Sequence, residues 1–182
     1  MFTTIPNILS MFRILLIPVV VAAFYFDTLY SRWIALFVFL FACFTDFLDG
    51  YLARSWSQTS RLGQALDPIA DKLLVASTLF LLAGFDKINK LTLIPAIVIL
   101  CREIMVSGLR EFLSELNLVM PVSNFSKWKT AVQMIAISSL LLADISSFAF
   151  FIRTAGQILL WLAALMTLAS GWSYLKSALR YF

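Results

Sequence analysis

Apolar residues run along this chain in long blocks, and polar residues gather in short gaps between them. A helix needs about 20 mostly apolar residues to cross a bilayer. Six blocks suit that length, at about 8–26, 32–54, 63–85, 91–115, 126–144 and 152–179. The gaps read as turns: "DTLYSR", "SWSQTSR", "DKINK", "NLVMPVSN" and "DISS". The pattern predicts an all-α polytopic membrane protein with six transmembrane helices, forming a single membrane domain over residues 1–182. The first block reads as a membrane helix, not a signal peptide. "TIPNILSMF" is not a basic leader segment, and no small-residue cleavage pattern follows Phe26.

Six crossings put both termini on one side. That side would hold Arg13, Arg54, Arg61, Lys72, Arg102, Arg110, Lys127, Lys129, Lys176 and Arg180, leaving Arg32, Lys87, Lys90 and Arg153 opposite. Basic residues favour the cytoplasmic face. The expected placement is the bacterial cytoplasmic (inner) membrane, with termini and active site at the cytoplasmic end of the bundle. The loop between the second and third helices also lies at that end.

Composition sharpens this picture. The chain is 62% hydrophobic and 13% charged, with mean hydropathy +0.93. Soluble domains are about 45–50% apolar and about 25% charged. A net charge of +4 suits membrane topology and anion handling, not nucleic-acid binding. The absence of histidine removes His-based zinc sites and a histidine general base. Cys43 and Cys101 sit in apolar runs and are expected to be buried without a disulfide. Trp33, Trp161 and Trp172 are expected to pack at the interface or in the core.

One stretch breaks the pattern. "TDFLDGYLARSWSQTSRLGQALDPIADKLL", Thr45 to Leu74, carries four aspartates in a chain with ten acidic residues. Asp46 and Asp49 are three apart, and Gly50, Ala53 and Arg54 continue at helical steps. Gly63, Asp67 and Asp71 step by four on the next helix. Residues at such spacing share one face. A short loop makes the two helices antiparallel neighbours, so four carboxylates can converge. An aspartate at the bilayer centre costs about 2.5–3.5 kcal/mol on insertion scales. Converging carboxylates also repel, and one would be driven to protonate. Bound cations or several basic partners would relieve this. Arg54 and Lys72 are too few to neutralise the site and also hold a ligand, whereas hard divalent cations take oxygen ligands and bridge to phosphates. Pro68 leaves the start of the third helix open, either at Asp67 or near Gly63.

The spacing Asp46-x2-Asp49-Gly50-x2-Ala53-Arg54-x8-Gly63-x3-Asp67-x3-Asp71 resembles the full signature of the CDP-alcohol phosphotransferase family. Members join a CDP-linked group to an alcohol and release CMP. The resemblance implies two divalent cations, magnesium or manganese, held by Asp46, Asp49, Asp67 and Asp71. It also implies Asp71 as general base, and a nucleotide pocket shaped by Asp49, Gly50, Ala53, Arg54 and Gly63.

Further segments bear on the acceptor. "CREIMVSGLREF" places Arg102 and Glu103 inside the fourth block, and Arg110 and Glu111 eight residues on. "NFSKWKTAVQM" opens the fifth helix with Lys127 and Lys129. Cations there oppose the helix dipole, which suggests an anion is held nearby. These segments and "IPNILSMFRILLIP" resemble those of family members that use CDP-diacylglycerol as donor and sn-glycerol 3-phosphate as acceptor. A glycine is common there at the place of Ser126. The resemblance implies that Arg110, Lys127 and Lys129 hold the acceptor phosphate, with Arg102 a further candidate. Asn7, Ser10 and Arg13 would lie near the donor, and a homodimer in membrane lipid is expected. Phosphatidylglycerol or inositol phosphate as acceptor stays an alternative. A divalent-cation transporter is a more distant one.

Overall fold

A computed structural model of the chain describes residues 5–56, 61–115 and 124–178. The described residues form six helices. They are α1 (Ile5–Phe26), α2 (Leu29–Trp56), α3 (Arg61–Gly84), α4 (Lys90–Glu115), α5 (Asn124–Ala143) and α6 (Ala149–Ala178). No strand occurs among the described residues. Helix suits such a sequence because it satisfies every backbone polar group within the segment, which a lipid environment cannot do. Among the described residues, three helices contain stretches long and apolar enough to cross a membrane: Leu29–Asp46, Lys90–Leu113 and Ala149–Lys176. The third helix begins at Arg61 and continues through Pro68, so it starts near Gly63 and not at Asp67.

Side-chain placement inverts the pattern of a soluble protein. Arg13, Thr78, Arg102, Lys129, Gln133 and Thr167 are buried, while Phe37, Phe80, Ile104, Phe150 and Phe151 are exposed. Charged groups in membrane helices face the protein interior, and apolar ones face lipid. This explains two departures from the sequence pattern. Cys101 is exposed and Cys43 only half-buried, although neither cysteine forms a disulfide, as expected. In a helix that is apolar all round, hydrophobicity does not say which face packs inward. Trp172 is likewise exposed, and Trp33 stacks on Phe37 with ring centroids 5.4 Å apart.

The chain forms two compact units. The first comprises Met1–Lys87 and Leu141–Ala149. In it α1 packs against both α2 and α3, around Val20, Phe39, Leu79 and Leu82. The second comprises Ile88–Leu140 and Phe150–Phe182. Its core includes Ile99, Leu113, Ile137, Leu140 and Leu160. Helices α5 and α6 approach closely there. A Cβ on Gly156 would lie 3.0 Å from Leu140 Cγ and 3.2 Å from its backbone nitrogen, so a larger residue would push the helices apart.

Local chemistry sets the turns. Thr28 and Ser31 cap α2 reciprocally: Ser31 N–H donates to Thr28 Oγ1, and Thr28 N–H donates to Ser31 Oγ. Asn89 caps α4 by accepting from Thr92 N–H at 2.7 Å. After α3, Lys87 N–H reaches Leu82 O and Asp86 N–H reaches Ala83 O, a Schellman closure with Asp86 at φ 54°. An ionic clamp in the first unit joins three of its turns. Arg32 Nε donates to Asp27 at 2.9 Å, and Arg32 Nη1 donates to Asp144 O at 3.0 Å. Lys87 Nζ lies 3.1 Å from Asp144 and 3.7 Å from Asp27.

The Arg32 hydrogen bond holds the Asp27 carboxyl below its ordinary pKa, against desolvation and with further help from Lys87. A depressed carboxylate pKa stabilises the fold above the unfolded value of about 3.9, and the gain is lost as pH falls through the lower folded value. Exposed pairs of this kind contribute up to about 1 kcal/mol. Asp27→Asn should therefore lower Tm near neutral pH by about 1–3 °C. In detergent melts, the gap should close below about pH 4. A gap independent of pH would contradict the clamp.

Candidate active site

Helix α1 carries Arg13 into the first unit between α2 and α3. Its side chain is 1% exposed. Nη1 donates to Asp46 Oδ1 of α2 at 2.9 Å and also to Asp71 Oδ1 of α3. Asp46 and Asp71 are the first and last carboxylates of the signature. Sharing one nitrogen places their oxygens within two hydrogen-bond lengths, roughly 6 Å at most. Both carboxylates keep partial access, at 39% and 32% exposed. Ser10, one turn before Arg13, is fully buried.

Sequence proximity nominates Arg54 and Lys72 as the basic partners of the aspartates, yet Arg13 fills that role for Asp46 and Asp71. It comes from a helix more than thirty residues away, and only the packing of α1 on both signature helices reveals it. Asp49, Gly50, Ala53 and Arg54 lie along α2, Gly63 and Asp67 along α3, and Asn7 along α1. Their side chains lie outside the described residues.

Does this donor set suit divalent cations? Two carboxylates on facing helices offer the hard oxygen ligands that magnesium and manganese prefer. They already converge on one positive charge, so a cation there would meet a ready electrostatic demand. Among the described residues no group of three acidic, cysteine or histidine side chains gathers. The residues present fit the group, as two of the four ligands expected.

The second unit builds a separate polar cluster from α4, α5 and α6. Lys129 of α5, 2% exposed, pairs with Glu103 of α4. Arg102 Nη1 lies 3.6 Å from Glu103, and Arg102 Nη2 donates to Ser170 Oγ of α6 at 2.8 Å. Arg102 lies along Gly171, where a Cβ would sit 3.1 Å from its Cγ and 3.3 Å from its Nε. Gly171 thus clears the path of the arginine. The guanidinium carbons of Arg102 and Arg110 each lie 5.7 Å from the Tyr174 ring centroid, within cation–π range. Lys127 is exposed, unlike Lys129. Two residues apart on a helix, the two lysines cannot share a face. Tyr174, Ser170 and Gly171 carry no sequence signal of their own within an apolar block. The spacing from Ser170 to Tyr174 shows their importance only once Arg102 is placed beside them.

Removing the guanidinium would leave two facing carboxylates. Hydrogen bonds to charged groups contribute about 1.5–3 kcal/mol each. Partial exposure of the carboxylates reduces that here. Arg13→Gln should lower stability in metal-free detergent buffer by about 1–3 kcal/mol, read by equilibrium unfolding. Arg13→Lys should recover part of it, because lysine keeps the charge without the fork. Unchanged stability in Arg13→Gln would show that the triad holds nothing together.

Comparison with known proteins agrees with the signature. The family model described as CDP-alcohol phosphatidyltransferase matches residues 3–169. A Rickettsia felis protein named CDP-diacylglycerol--glycerol-3-phosphate 3-phosphatidyltransferase is 41% identical over 178 residues, covering 98% of this chain and 97% of its own length. A Haemophilus influenzae protein of the same name is 43% identical, covering 96% and 92%. A third, from Cereibacter sphaeroides, is 38% identical, covering 98% and 96%. With two of its signature carboxylates, Asp46 and Asp71, meeting at one arginine and its length shared with these relatives, the chain belongs to the CDP-alcohol phosphatidyltransferase family.

Proposed function

We propose that this enzyme transfers the phosphatidyl group of CDP-diacylglycerol to sn-glycerol 3-phosphate, giving phosphatidylglycerophosphate and CMP for anionic phospholipid synthesis. The carrying observation is the meeting of Asp46 and Asp71 at Arg13, in a chain whose near-full-length relatives are named for this reaction. Asp46, Asp49, Asp67 and Asp71 would hold two divalent cations, magnesium or manganese. When bound, such cations compensate charge at the attacking and leaving oxygens.

The remaining work falls to the chain's own residues. The acceptor hydroxyl oxygen bonds to the phosphorus that carries diacylglycerol. The anhydride bond breaks, and CMP leaves with the bonding pair. Asp71 takes the hydroxyl proton on a carboxylate oxygen; without histidine, it is the base best supported by the signature. Arg13 orients Asp71 and Asp46 before substrate arrives. Asp49, Gly50, Ala53, Arg54 and Gly63 shape the nucleotide pocket, and Asn7 and Ser10 lie toward the donor. Positioning and charge stabilisation supply most of the catalysis in phosphoryl transfer.

Acceptor binding belongs to the second unit's cluster. Among the described residues, the ion pairs of Arg102 and Lys129 share a single carboxylate, Glu103, and Arg110 lies beside them against the Tyr174 ring, which supports a surplus of positive charge for an anion. A phosphate monoester carries about −1.5 to −2 at neutral pH. Lys127 would draw the acceptor from the cytoplasmic surface. All six helices have 20 residues or more, long enough to cross a bilayer at 1.5 Å per residue. That supports six crossings. The excess of basic residues on one side supports placing them in the bacterial cytoplasmic membrane, with the site at the cytoplasmic end. The family model, spanning residues 3–169, supports one catalytic domain.

The test is CMP release from CDP-diacylglycerol in detergent, with each candidate alcohol in turn. Glycerol 3-phosphate should support turnover; release only with another alcohol would overturn the acceptor assignment. Asp71→Asn should lower kcat by about 10²–10⁴-fold while manganese and donor still bind. Asp67→Asn should weaken manganese binding itself. Lys129→Ala should raise KM for glycerol 3-phosphate roughly tenfold and leave that for the lipid nearly unchanged. Equal effects on both would remove Lys129 from the acceptor site.

A further inference from the structure

The second unit contains more polarity than its visible hydrogen bonds consume. Tyr174 is 7% exposed, and its hydroxyl oxygen is buried with no hydrogen-bond partner among the described residues. Among the same residues, Arg102 Nε, Thr167 Oγ1 and Gln133 Oε1 also have none. An unsatisfied buried polar atom costs about 1–3 kcal/mol, and native structures keep few of them. These four are connected through the cluster. Thr167, Ser170 and Tyr174 fall on one face of α6, at three- and four-residue steps. Arg102 bonds to Ser170 between them. Gln133 lies one turn beyond Lys129 on α5. Such a group of idle donors and acceptors, beside excess positive charge, suits a small polar ligand with an anionic end and a neutral hydroxylated end.

Tyr174 serves both ends of such a ligand. Its ring lies against the guanidinium groups of Arg102 and Arg110, each 5.7 Å from the centroid. The two arginines start eight residues apart on α4, about 12 Å along the helix. Contact with one ring keeps both guanidinium groups beside the same side chain, each 5.7 Å from its centroid. The tyrosine hydroxyl adds a donor that no described protein group uses.

We propose that Tyr174 is a specificity-determining residue for the acceptor. Its ring aligns Arg102 and Arg110 on the acceptor phosphate, and its hydroxyl hydrogen-bonds the acceptor's central hydroxyl, the one that does not react. This rests on the acceptor reading above, in which glycerol 3-phosphate binds the second unit. A site that pairs a substrate hydroxyl rejects the analogue lacking it, because its own polar group is left unpaired. Glycerol 3-phosphate is thereby told apart from a three-carbon phosphate without the middle hydroxyl.

The experiment compares glycerol 3-phosphate with 1,3-propanediol monophosphate, which keeps the terminal hydroxyl and the phosphate but lacks the central hydroxyl. Full-length wild type and Tyr174→Phe are assayed in detergent for CMP release. Wild type should prefer glycerol 3-phosphate in kcat/KM by roughly tenfold or more. Tyr174→Phe keeps the ring and should bring that preference close to one, through the glycerol 3-phosphate KM. Tyr174→Leu also removes the ring, so KM for both acceptors should rise together. An undiminished preference in Tyr174→Phe would overturn the proposal and assign the hydroxyl to a structural water. If that variant did not fold, thermal shifts of wild type would decide: equal stabilisation by the two phosphates would overturn it, and greater stabilisation by glycerol 3-phosphate would support it. Failure of the acceptor reading looks different, since wild type would then release no CMP with glycerol 3-phosphate at all.

Discussion

A buried guanidinium holding two carboxylates is the constraint on which the first unit depends. Asp46 and Asp71 belong to different helices, and like charges drawn together in an apolar bundle repel. Arg13 reverses the sign of that interaction. Helix α1 must pack on both α2 and α3 for one side chain to reach both acids, and it does. The geometry of the signature is therefore a three-helix property, although its residues lie on two. Arg13 also defines the charge that arriving cations must balance. In the proposed mechanism, the acids that would bind a cation include the two that the arginine holds.

The second unit solves a related problem with a different surplus. Its acids are fewer than its bases, and the excess positive charge is spread over Arg102, Arg110 and Lys129. Pairing with Glu103, the hydroxyl of Ser170 and the ring of Tyr174 hold these cations without neutralising them all. Gly171 is part of this arrangement because any side chain there would meet Arg102. The two units thus offer complementary chemistry, one anionic and suited to cations, the other cationic and suited to a phosphate.

Much of this was legible in the sequence, for definite physical reasons. Helical spacing follows from backbone geometry alone, so Asp46 and Asp71 could be assigned to faces of neighbouring helices before any fold was known. The eight-residue step from Arg102 to Arg110 worked in the same way, and both reach one ring. What escaped depends on contacts between distant segments. The sequence puts Arg13 near the donor, but its grip on Asp46 and Asp71 requires the packing of α1. Tyr174 carries no signal, because one tyrosine in an apolar block has no distinguishing period. Lys127 and Lys129 are close in sequence, whereas helix geometry turns only Lys129 inward. Cys101 faces outward for a similar reason: lipid and core are equally apolar, so hydrophobicity cannot separate them.

The central claim is that the carboxylates gathered by Arg13 are the cation site of the enzyme. A crystal of the full-length protein grown with manganese, measured at the manganese absorption edge, tests it most directly. Anomalous peaks should lie within coordination distance of both Asp46 and Asp71, with Arg13 drawn back from at least one of them. Peaks absent from these carboxylates, with Arg13 still bonded to both in a protein saturated with manganese, would contradict the account.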